Sequence, residues 1–244
     1  MRLLRIMSIA LTAAALTTPV FAGPPFVSDD PQPTPYKSWE IYSFTSGTNT
    51  RDGTAGEAGL DLNYGAAPDL QLTATLPAGF ESATGGKFRT GLSNIELAAK
   101  YRFIHQADWG WDVAVFPRVF LPSVSAVGDR NPSLLLPLWV QRDLGQGWST
   151  FGGGGCLLAG VGSSQDACMA GWVLTRDLAK NLHVGAELFH QTGNAAAPAT
   201  TSLGVGVTYD LNDTYHLLGY VRRGLQNTAE TDRVSWYTGV LFTF

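Results

Sequence analysis

Long stretches in which apolar and polar residues alternate constrain the fold of this chain more than any other feature. In residues 57–65, 92–103, 109–121 and 182–191, apolar side chains recur at every second position. Period two indicates β-strands, and these runs exceed the about five or six residues of an average soluble strand. A tilted bilayer crossing needs about 9–11 residues. The pattern therefore favours an all-β transmembrane barrel over a secreted β-sandwich.

The composition agrees with both of these all-β classes. Only 15% of the residues are charged, against about a quarter in a typical soluble domain, and the chain has 28 glycines and 7 tryptophans. Beyond residue 22 no run of 18 apolar residues occurs, so the sequence predicts no membrane-spanning helix. Barrel strands that alternate apolar-out and polar-in are only mildly hydrophobic on average.

The connections between the predicted strands come in two kinds. Five short polar turns are predicted at 66–70, 105–111, 142–148, 176–185 and 209–219, and six longer loops at 46–54, 81–90, 122–131, 157–167, 192–200 and 224–233. They join twelve strands predicted at 37–45, 55–65, 70–80, 91–104, 109–121, 132–142, 147–156, 168–177, 181–191, 201–210, 214–223 and 234–244. Short periplasmic turns, longer outer loops and an even strand number are typical of bacterial outer-membrane barrels. We therefore expect an antiparallel meander barrel of about twelve strands over residues 37–244.

Residues 1–22 have the pattern of a secretory signal peptide. Arg2 and Arg5 precede an apolar run from Ile6 to Leu16, and Val20-Phe21-Ala22 supplies small residues for cleavage. The alternative is an uncleaved anchor, for which the run is short. The mature chain would carry 14 basic and 20 acidic residues, which argues against nucleic acid as a partner. Export and the barrel pattern together predict the bacterial outer membrane as the location.

The C-terminal strand and the aromatic residues point to the same location. Trp236, Val240, Phe242 and Phe244 share one parity of the last predicted strand. This alternating ending resembles the C-terminal signature of outer-membrane barrels, which implies the barrel-assembly machinery as a partner. The sequence places five tryptophans near the short turns or the start of the first strand: Trp39, Trp109, Trp111, Trp139 and Trp148. Indole rings are typical of membrane interfaces, so we expect these five there.

Residues 23–42, GPPFVSDDPQPTPYKSWEIY, resemble the start of a family of outer-membrane transporters labelled MetA-pathway of phenol degradation. The matching positions are Pro24, Pro25, Phe26, Asp29, Asp30, Pro31, Trp39 and Glu40. The resemblance implies a channel for small organic compounds and supplies no catalytic residues. Residues 23–36 have two interpretations: a periplasmic tether kept extended by its prolines, or a plug that places Asp29 and Asp30 on basic wall residues.

Charged residues on the inward parity are the candidate lumen lining. They are Glu57, Asp61, Glu96, Lys100, Asp112, Arg118, Glu187 and Arg222. They could line a polar pore or form salt bridges that close the interior. Twelve strands lie between the filled interior of eight and the aqueous channel of sixteen, so we expect a narrow passage at best. The predicted function is a channel for small apolar or aromatic solutes in outer-membrane lipid; the alternative is a closed barrel with a structural or lipid-modifying role.

Enzymatic and metal chemistry find little support in the sequence. The histidines, at positions 105, 183, 190 and 216, have no Gly-x-Ser-x-Gly partner and no metal-ligand spacing on a shared face. We therefore predict no catalytic residues, no cofactor and no metal site. Glycines 152–155 follow no phosphate-loop pattern and should let the wall bend or admit a bulky neighbour. Cys156 and Cys168 flank one outer loop of an exported chain, which predicts a disulfide between them.

Overall fold

A computed structural model describes residues 25–123, 125, 127–128, 131–160 and 165–244. The predicted signal peptide, residues 23–24 and parts of the loops at 122–131 and 157–167 lie outside the described residues. The strands are β1 Trp39–Asn49, β2 Gly53–Ala67, β3 Leu70–Ala83, β4 Phe88–Leu92, β5 Ile95–Ile104, β6 Asp112–Val115, β7 Arg118–Leu121, β8 Ser133–Gly145, β9 Trp148–Leu158, β10 Ala167–Ala179, β11 Leu182–Gln191, β12 Thr200–Asp210, β13 Tyr215–Gly224 and β14 Val234–Thr243. A short helix, α1, spans Gln106–Trp109.

These fourteen segments form a closed, antiparallel barrel with twelve wall positions. β4 and β5 both pair with β3, and β6 and β7 both pair with β5 and β8, so each of these two pairs of segments occupies one position. β14 pairs with β1 and closes the wall. The predicted twelve-stranded meander is confirmed. No helix in the described part of the chain is long and apolar enough to cross a bilayer.

Two predicted strands differ from the structure in detail. The strand predicted at 91–104 is split after Leu92, and the strand predicted at 109–121 starts only at Asp112. Trp109, expected in that strand, ends helix α1, and Gly110 turns the chain in the left-handed region at φ 78°. The rest of the strand predicted at 109–121 is divided into β6 and β7 by Phe116 and Pro117, because proline has no backbone N–H to donate to a neighbouring strand.

The last residue takes part in barrel closure although it lies just beyond β14. The Phe244 backbone N–H donates to the Trp39 carbonyl at 3.1 Å, and the Trp39 N–H donates to the Phe244 carbonyl at 2.7 Å. The expected strand over 234–244 therefore ends one residue early, but its pairing continues to Phe244. Such pairing satisfies backbone groups that lipid cannot satisfy.

The barrel interior is filled by side chains on the inward parity. A buried apolar cluster includes Phe26, Phe116, Trp139, Phe189 and Tyr220. Outward positions are leucine-rich and exposed, as at Leu60, Leu72, Leu97, Leu138, Leu188 and Leu203. This separation of faces is what a wall between lipid and a packed lumen requires.

The interface prediction was wrong for Trp139, which points inward and is fully buried. Its indole packs over Gly153, where an added Cβ would lie 3.0 Å from Trp139 Cε3 and 2.0 Å from the Leu138 carbonyl oxygen. Only glycine leaves room for this contact. On the outer face Trp172 covers Gly152 in the same way, with Cε3 2.6 Å from an added Cβ. The glycine run of β9 thus admits one bulky indole on each face.

Candidate functional site: a lumen crossed by the N-terminal segment

The eight predicted lumen residues all lie on the inner parity of the wall. Glu96, Lys100, Asp112, Arg118, Glu187 and Arg222 are buried, and Glu57 and Asp61 are half-buried. Their inward direction follows from strand alternation, which puts the leucines of the same strands outside. Their role in lining a conducting passage stays a prediction.

Glu96 and Arg118 form a bidentate ion pair between adjacent wall positions. Arg118 Nε donates to Glu96 Oε1 at 2.7 Å, and Nη2 donates to Oε2 at 2.9 Å. The Arg118 guanidinium also lies 5.1 Å from the centroid of the Phe116 ring. Both side chains are buried, so neither charge has water to replace its partner.

The N-terminal segment, residues 25–35, lies inside the barrel and meets the wall at Lys100. The Lys100 ammonium is 3.0 Å from Asp29 Oδ1, and both side chains are buried. Nearby, the side-chain amide of Gln32 donates to Asp112 Oδ2 at 2.9 Å. Closer to the short turns, the Thr34 N–H donates to Gln71 Oε1 at 2.8 Å. These contacts fix one half of the segment to β3, β5 and β6.

The other half of the segment is held by Glu187 on β11. The backbone N–H groups of Val27 and Ser28 donate to the two carboxylate oxygens of Glu187, at 3.2 and 2.6 Å. The Tyr220 hydroxyl donates to the same carboxylate. Glu187 is fully buried, and these three donors stabilise its charge.

Lys100 and Glu187 stand on nearly opposite sides of the barrel. Between β5 and β11 lie four wall positions in one direction, formed by β6 with β7, β8, β9 and β10, and six in the other. The segment reaches from Asp29, at Lys100, to Val27, at Glu187, and therefore crosses the lumen. The plug interpretation of residues 23–36 put Asp29 on a basic wall residue without singling out Lys100, and nothing in the sequence pointed to a contact between the Val27 N–H and Glu187.

The ring of Phe26 occupies a slot in the inner wall. Its centroid lies 5.9 Å from that of Phe151 and 5.6 Å from that of Tyr220, both with edge-to-face geometry. An added Cβ would lie 2.6 Å from Phe26 Cζ at Gly185 and 2.7 Å from Cε1 at Gly206. Two glycines and two aromatic rings thus form a pocket shaped for one flat ring.

Arg222 joins the wall to the longer loop that follows β13. Its Nη2 donates to Asp232 Oδ2 at 2.6 Å, and its guanidinium lies 5.0 Å from the centroid of the Phe189 ring. Arg222 is 2% exposed, and its Nε and Nη1 have no hydrogen-bond partner among the described residues. The sequence predicted that Arg222 either lines an open passage or forms a salt bridge with another charge of the wall. In the structure it pairs with the carboxylate of Asp232, in a loop.

Networks at the rim with the short turns were not anticipated from the sequence. Asp69 accepts from Arg102 Nε at 2.9 Å and Nη2 at 2.7 Å and lies 3.0 Å from His105 Nε2. Partial burial acts to raise the pKa of Asp69, but the hydrogen bonds from Arg102 and His105 outweigh it and lower that pKa. The alternation of the strands carries no information about such contacts between turns.

A second rim network connects the ends of β10 to β14. It runs from Asp177 through His183, Asp210 and His216 to Thr243, with contacts of 2.6, 3.1, 2.6 and 3.2 Å. His190 contacts Thr201 at 2.9 Å. Among the described hydrogen bonds none joins a histidine to a serine, and the described residues contain no cluster of three or more metal-ligating side chains.

The predicted cysteine pair and the predicted assembly residues lie on the wall. Cys156 and Cys168 face each other across β9 and β10 and are joined by a disulfide. Trp236, Val240 and Phe242 share the outward parity of β14, and the Phe242 ring contacts Tyr215 at 5.5 Å between centroids. Phe244 is 67% exposed at the barrel end. Recognition of these residues by an assembly machinery stays a prediction.

The fold is similar to that of solved outer-membrane barrels. An outer-membrane channel from Pseudomonas putida F1 has a TM-score of 0.75 at 15% identity, with 88% of this chain and 98% of the channel covered. The KdgM porin, solved in complex with disordered oligogalacturonate, has a TM-score of 0.57 at 12% identity, with 85% of this chain and 99% of the porin covered. The β domain of the Bordetella autotransporter BrkA has a TM-score of 0.52 at 16% identity, with 84% and 98% covered.

At these identities the likeness shows the fold alone. A channel, a porin and an autotransporter domain share it, so the barrel by itself does not define the activity. No protein-family model and no curated protein matches the sequence, and the resemblance of residues 23–42 to the phenol-degradation family stays a prediction. The chain is shown to have the fold of bacterial outer-membrane β-barrels.

Proposed function

We propose that the protein is an outer-membrane channel for small apolar or aromatic organic solutes, closed in this state by residues 25–35. The outer membrane is the place for a closed barrel whose outward face is leucine-rich. Two of the three similar barrels described above are a channel and a porin, which supports the channel role. The segment that crosses the lumen from Lys100 to Glu187 must shift before a solute can pass.

The slot that holds Phe26 is the observation that carries the solute class. Phe151 and Tyr220 form edge-to-face contacts with the Phe26 ring. Gly185 and Gly206, which have no side chains, leave the space that the Phe26 ring fills. If the segment moves, the slot becomes a site for another flat ring of similar size. Offset or edge-to-face aromatic contacts contribute about 0.5–1.5 kcal/mol beyond area burial. This favours weak, reversible binding, as a transport path needs.

The proposal assigns no catalytic role to the lumen. Its buried carboxylates are held by cations or backbone donors: Glu96 by Arg118, Asp29 by Lys100, and Glu187 by the N-terminal segment. These contacts give the three carboxylates a structural role, and we assign none of them to a reaction with substrate. The competing function is a permanently closed barrel with a structural role.

The test combines conductance in planar bilayers with uptake of phenol and glucose into liposomes. A variant that lacks residues 23–35 should conduct more than the wild type and admit phenol faster. In that background Gly206→Val should slow phenol uptake, because a side chain at Gly206 points into the slot, while ion conductance changes little.

Gly219→Val is the matched control, since an added Cβ at Gly219 meets only Val207 Cγ1, at 3.5 Å. It should leave both measurements unchanged. Correct folding of each variant is checked by heat-modifiable gel mobility. A folded deletion variant without conductance or uptake would contradict the channel and support the closed structural barrel.

A further inference from the structure

An apolar groove on the outer, lipid-facing wall is not accounted for by transport. It has a volume of about 470 Å³ and is lined by Ile104, Trp109, Trp111, Val113, Val140 and Trp172. Val113 and Val140 pair in adjacent strands, β6 and β8, and form its floor. Three of its six lining side chains are indoles. The groove is a largely open recess with indole rings along its sides.

Helix α1 holds one wall of this groove in position. At the start of the helix, the backbone N–H of Gln106 donates to Asp112 Oδ1 at 3.0 Å. Its side chain accepts from the Asp143 N–H at 2.7 Å, which fixes the helix to the end of β8. Trp109 is 77% exposed and Trp111 follows directly after the Gly110 turn. The hydrogen bonds of Gln106 thus fix the start of the helix that carries Trp109.

The opposite wall is Trp172 on β10. Its ring packs over Gly152, and its Nε1 donates to Thr150 Oγ1 at 2.7 Å. The ring is 6.5 Å from that of Trp111 between centroids, in edge-to-face geometry. With the polar atom of Trp172 satisfied by the wall, only apolar ring surface is left toward the groove. An apolar chain is the occupant that this surface would accept.

A cation stands at the end of the groove that lies nearer the short turns. The Arg142 guanidinium lies 5.7 Å from the Trp111 ring centroid, and Arg142 is exposed. On the outer face, Arg142 belongs to the row next to Val140 and Trp172, one row closer to the turns. Among the described residues no carboxylate forms a salt bridge with Arg142. Its donors are free to bind an anionic group at the membrane interface.

We infer that this groove binds one phospholipid of the periplasmic leaflet, with an acyl chain against Val113, Val140 and Trp172 and the phosphate on Arg142. The order of charge at the rim and apolar surface toward the membrane centre matches the order of a lipid from headgroup to chain. The inference rests on the outer-membrane location in the proposed function but not on transport. Its test in detergent needs no conductance, so the two can fail separately.

The experiment counts lipids bound to the purified mature chain by native mass spectrometry. The probes are palmitoyl-oleoyl phosphatidylglycerol and the diacylglycerol with the same two chains. Wild type should bind the phospholipid roughly tenfold more tightly than the diacylglycerol, the effect of one charge-assisted contact. Arg142→Gln should abolish that preference. Ile104→Trp, which fills the groove from an outward position, should weaken both probes.

Arg176→Gln is the matched control. Arg176 lies at the same rim, with its guanidinium 5.0 Å from the ring centroid of Trp148, which does not line the groove, whereas Arg142 lies against Trp111, which does. The Arg176→Gln protein should bind both lipids with the same affinities as the wild type. Heat-modifiable mobility checks folding, and Val140→Phe replaces Ile104→Trp if the latter does not fold. Equal binding of the two lipids by wild type, equal losses in Arg142→Gln and Arg176→Gln, or a groove that instead pairs two copies would overturn the inference.

Discussion

Asp29, in the segment that crosses the lumen, lies with its Oδ1 3.0 Å from the Nζ of Lys100 on β5, and both side chains are buried. The ammonium also lies 4.9 Å from the centroid of the Phe116 ring and 3.4 Å from the Gln32 carbonyl oxygen. Separation of the segment from the wall would leave Lys100 in the interior without its carboxylate. The ion pair with Lys100 therefore favours the position in which the segment crosses the lumen.

Lys100→Met should loosen the segment, because it leaves the buried Asp29 carboxylate without its cation. Removal of one partner of a buried pair costs about 3–5 kcal/mol. The measurement is the rate at which a water-soluble maleimide labels Val27→Cys, a buried position, in folded protein. Labelling should be at least tenfold faster with Lys100→Met and unchanged with Lys87→Met, an exposed lysine. Equal rates in the two variants would show that the ion pair does not hold the segment.

The Glu96–Arg118 pair should show strong coupling in a double-mutant cycle. Arg118→Met leaves the Glu96 carboxylate buried and unpaired and should lower the free energy of unfolding by about 3–5 kcal/mol. Arg118→Glu places like charges together and should lower it further. Adding Glu96→Leu to Arg118→Met should restore much of the loss. Urea unfolding in detergent or bilayers measures all the variants, and additive losses would refute the coupling.

The bond between Cys156 and Cys168 should be detectable in protein recovered from the membrane. Mass spectrometry of unreduced peptides should give one cross-linked pair, and two alkylatable thiols would contradict it. The bridge closes a loop with a sequence separation of 12, for which chain entropy predicts about 3 kcal/mol. The double serine variant should unfold more readily, and reductant should destabilise the wild type but not that variant.

Deletion of Phe244 should impair barrel assembly without changing synthesis or export. The deletion removes both backbone hydrogen bonds to Trp39 as well as the terminal ring. The readouts are outer-membrane yield and heat-modifiable gel mobility. Phe244→Ala, which removes only the ring, should also lower the folded yield. Phe88→Ala is its matched control, since the rings of Phe88 and Phe244 are 65% and 67% exposed. A normal folded yield in the deletion strain would count against an assembly role.

The rim contact of Asp69 should stabilise the protein near neutral pH and lose its effect in acid. The hydrogen bonds from Arg102 and His105 lower the pKa of Asp69 in the folded state, so the ionised carboxylate favours folding. That contribution is present above the unfolded pKa of about 3.9 and disappears as pH falls through the lower folded value.

Asp69→Asn should therefore lower the unfolding temperature at pH 7 by a few degrees, about what 1 kcal/mol produces. The gap between wild type and variant should close below about pH 4. Asp52→Asn, in an exposed loop, is the control and should change little at any pH. A gap that stays constant from pH 7 to pH 3 would show that the carboxylate charge is not the cause.

The sequence determined the wall because alternation is a property of consecutive residues. In β2 the residues Leu60 and Asp61 take opposite faces simply because they are neighbours in an extended strand. The same rule put Glu96, Lys100 and Arg118 on the inside. Where the pattern was weak, as in the all-apolar run from Leu134 to Leu136, parity could not be fixed, and Trp139 was assigned to the wrong surface.

The contacts inside the lumen were decided by the tertiary structure alone. Asp29 and Lys100 are 71 residues apart, and the Val27 N–H and Glu187 are 160 apart. Such pairs depend on strand register, on barrel closure between β14 and β1, and on the path of a segment that has no periodicity of its own. The sequence predicted which charged residues face the lumen. Only closure of the sheet brought opposite sides of the wall within reach of one short segment.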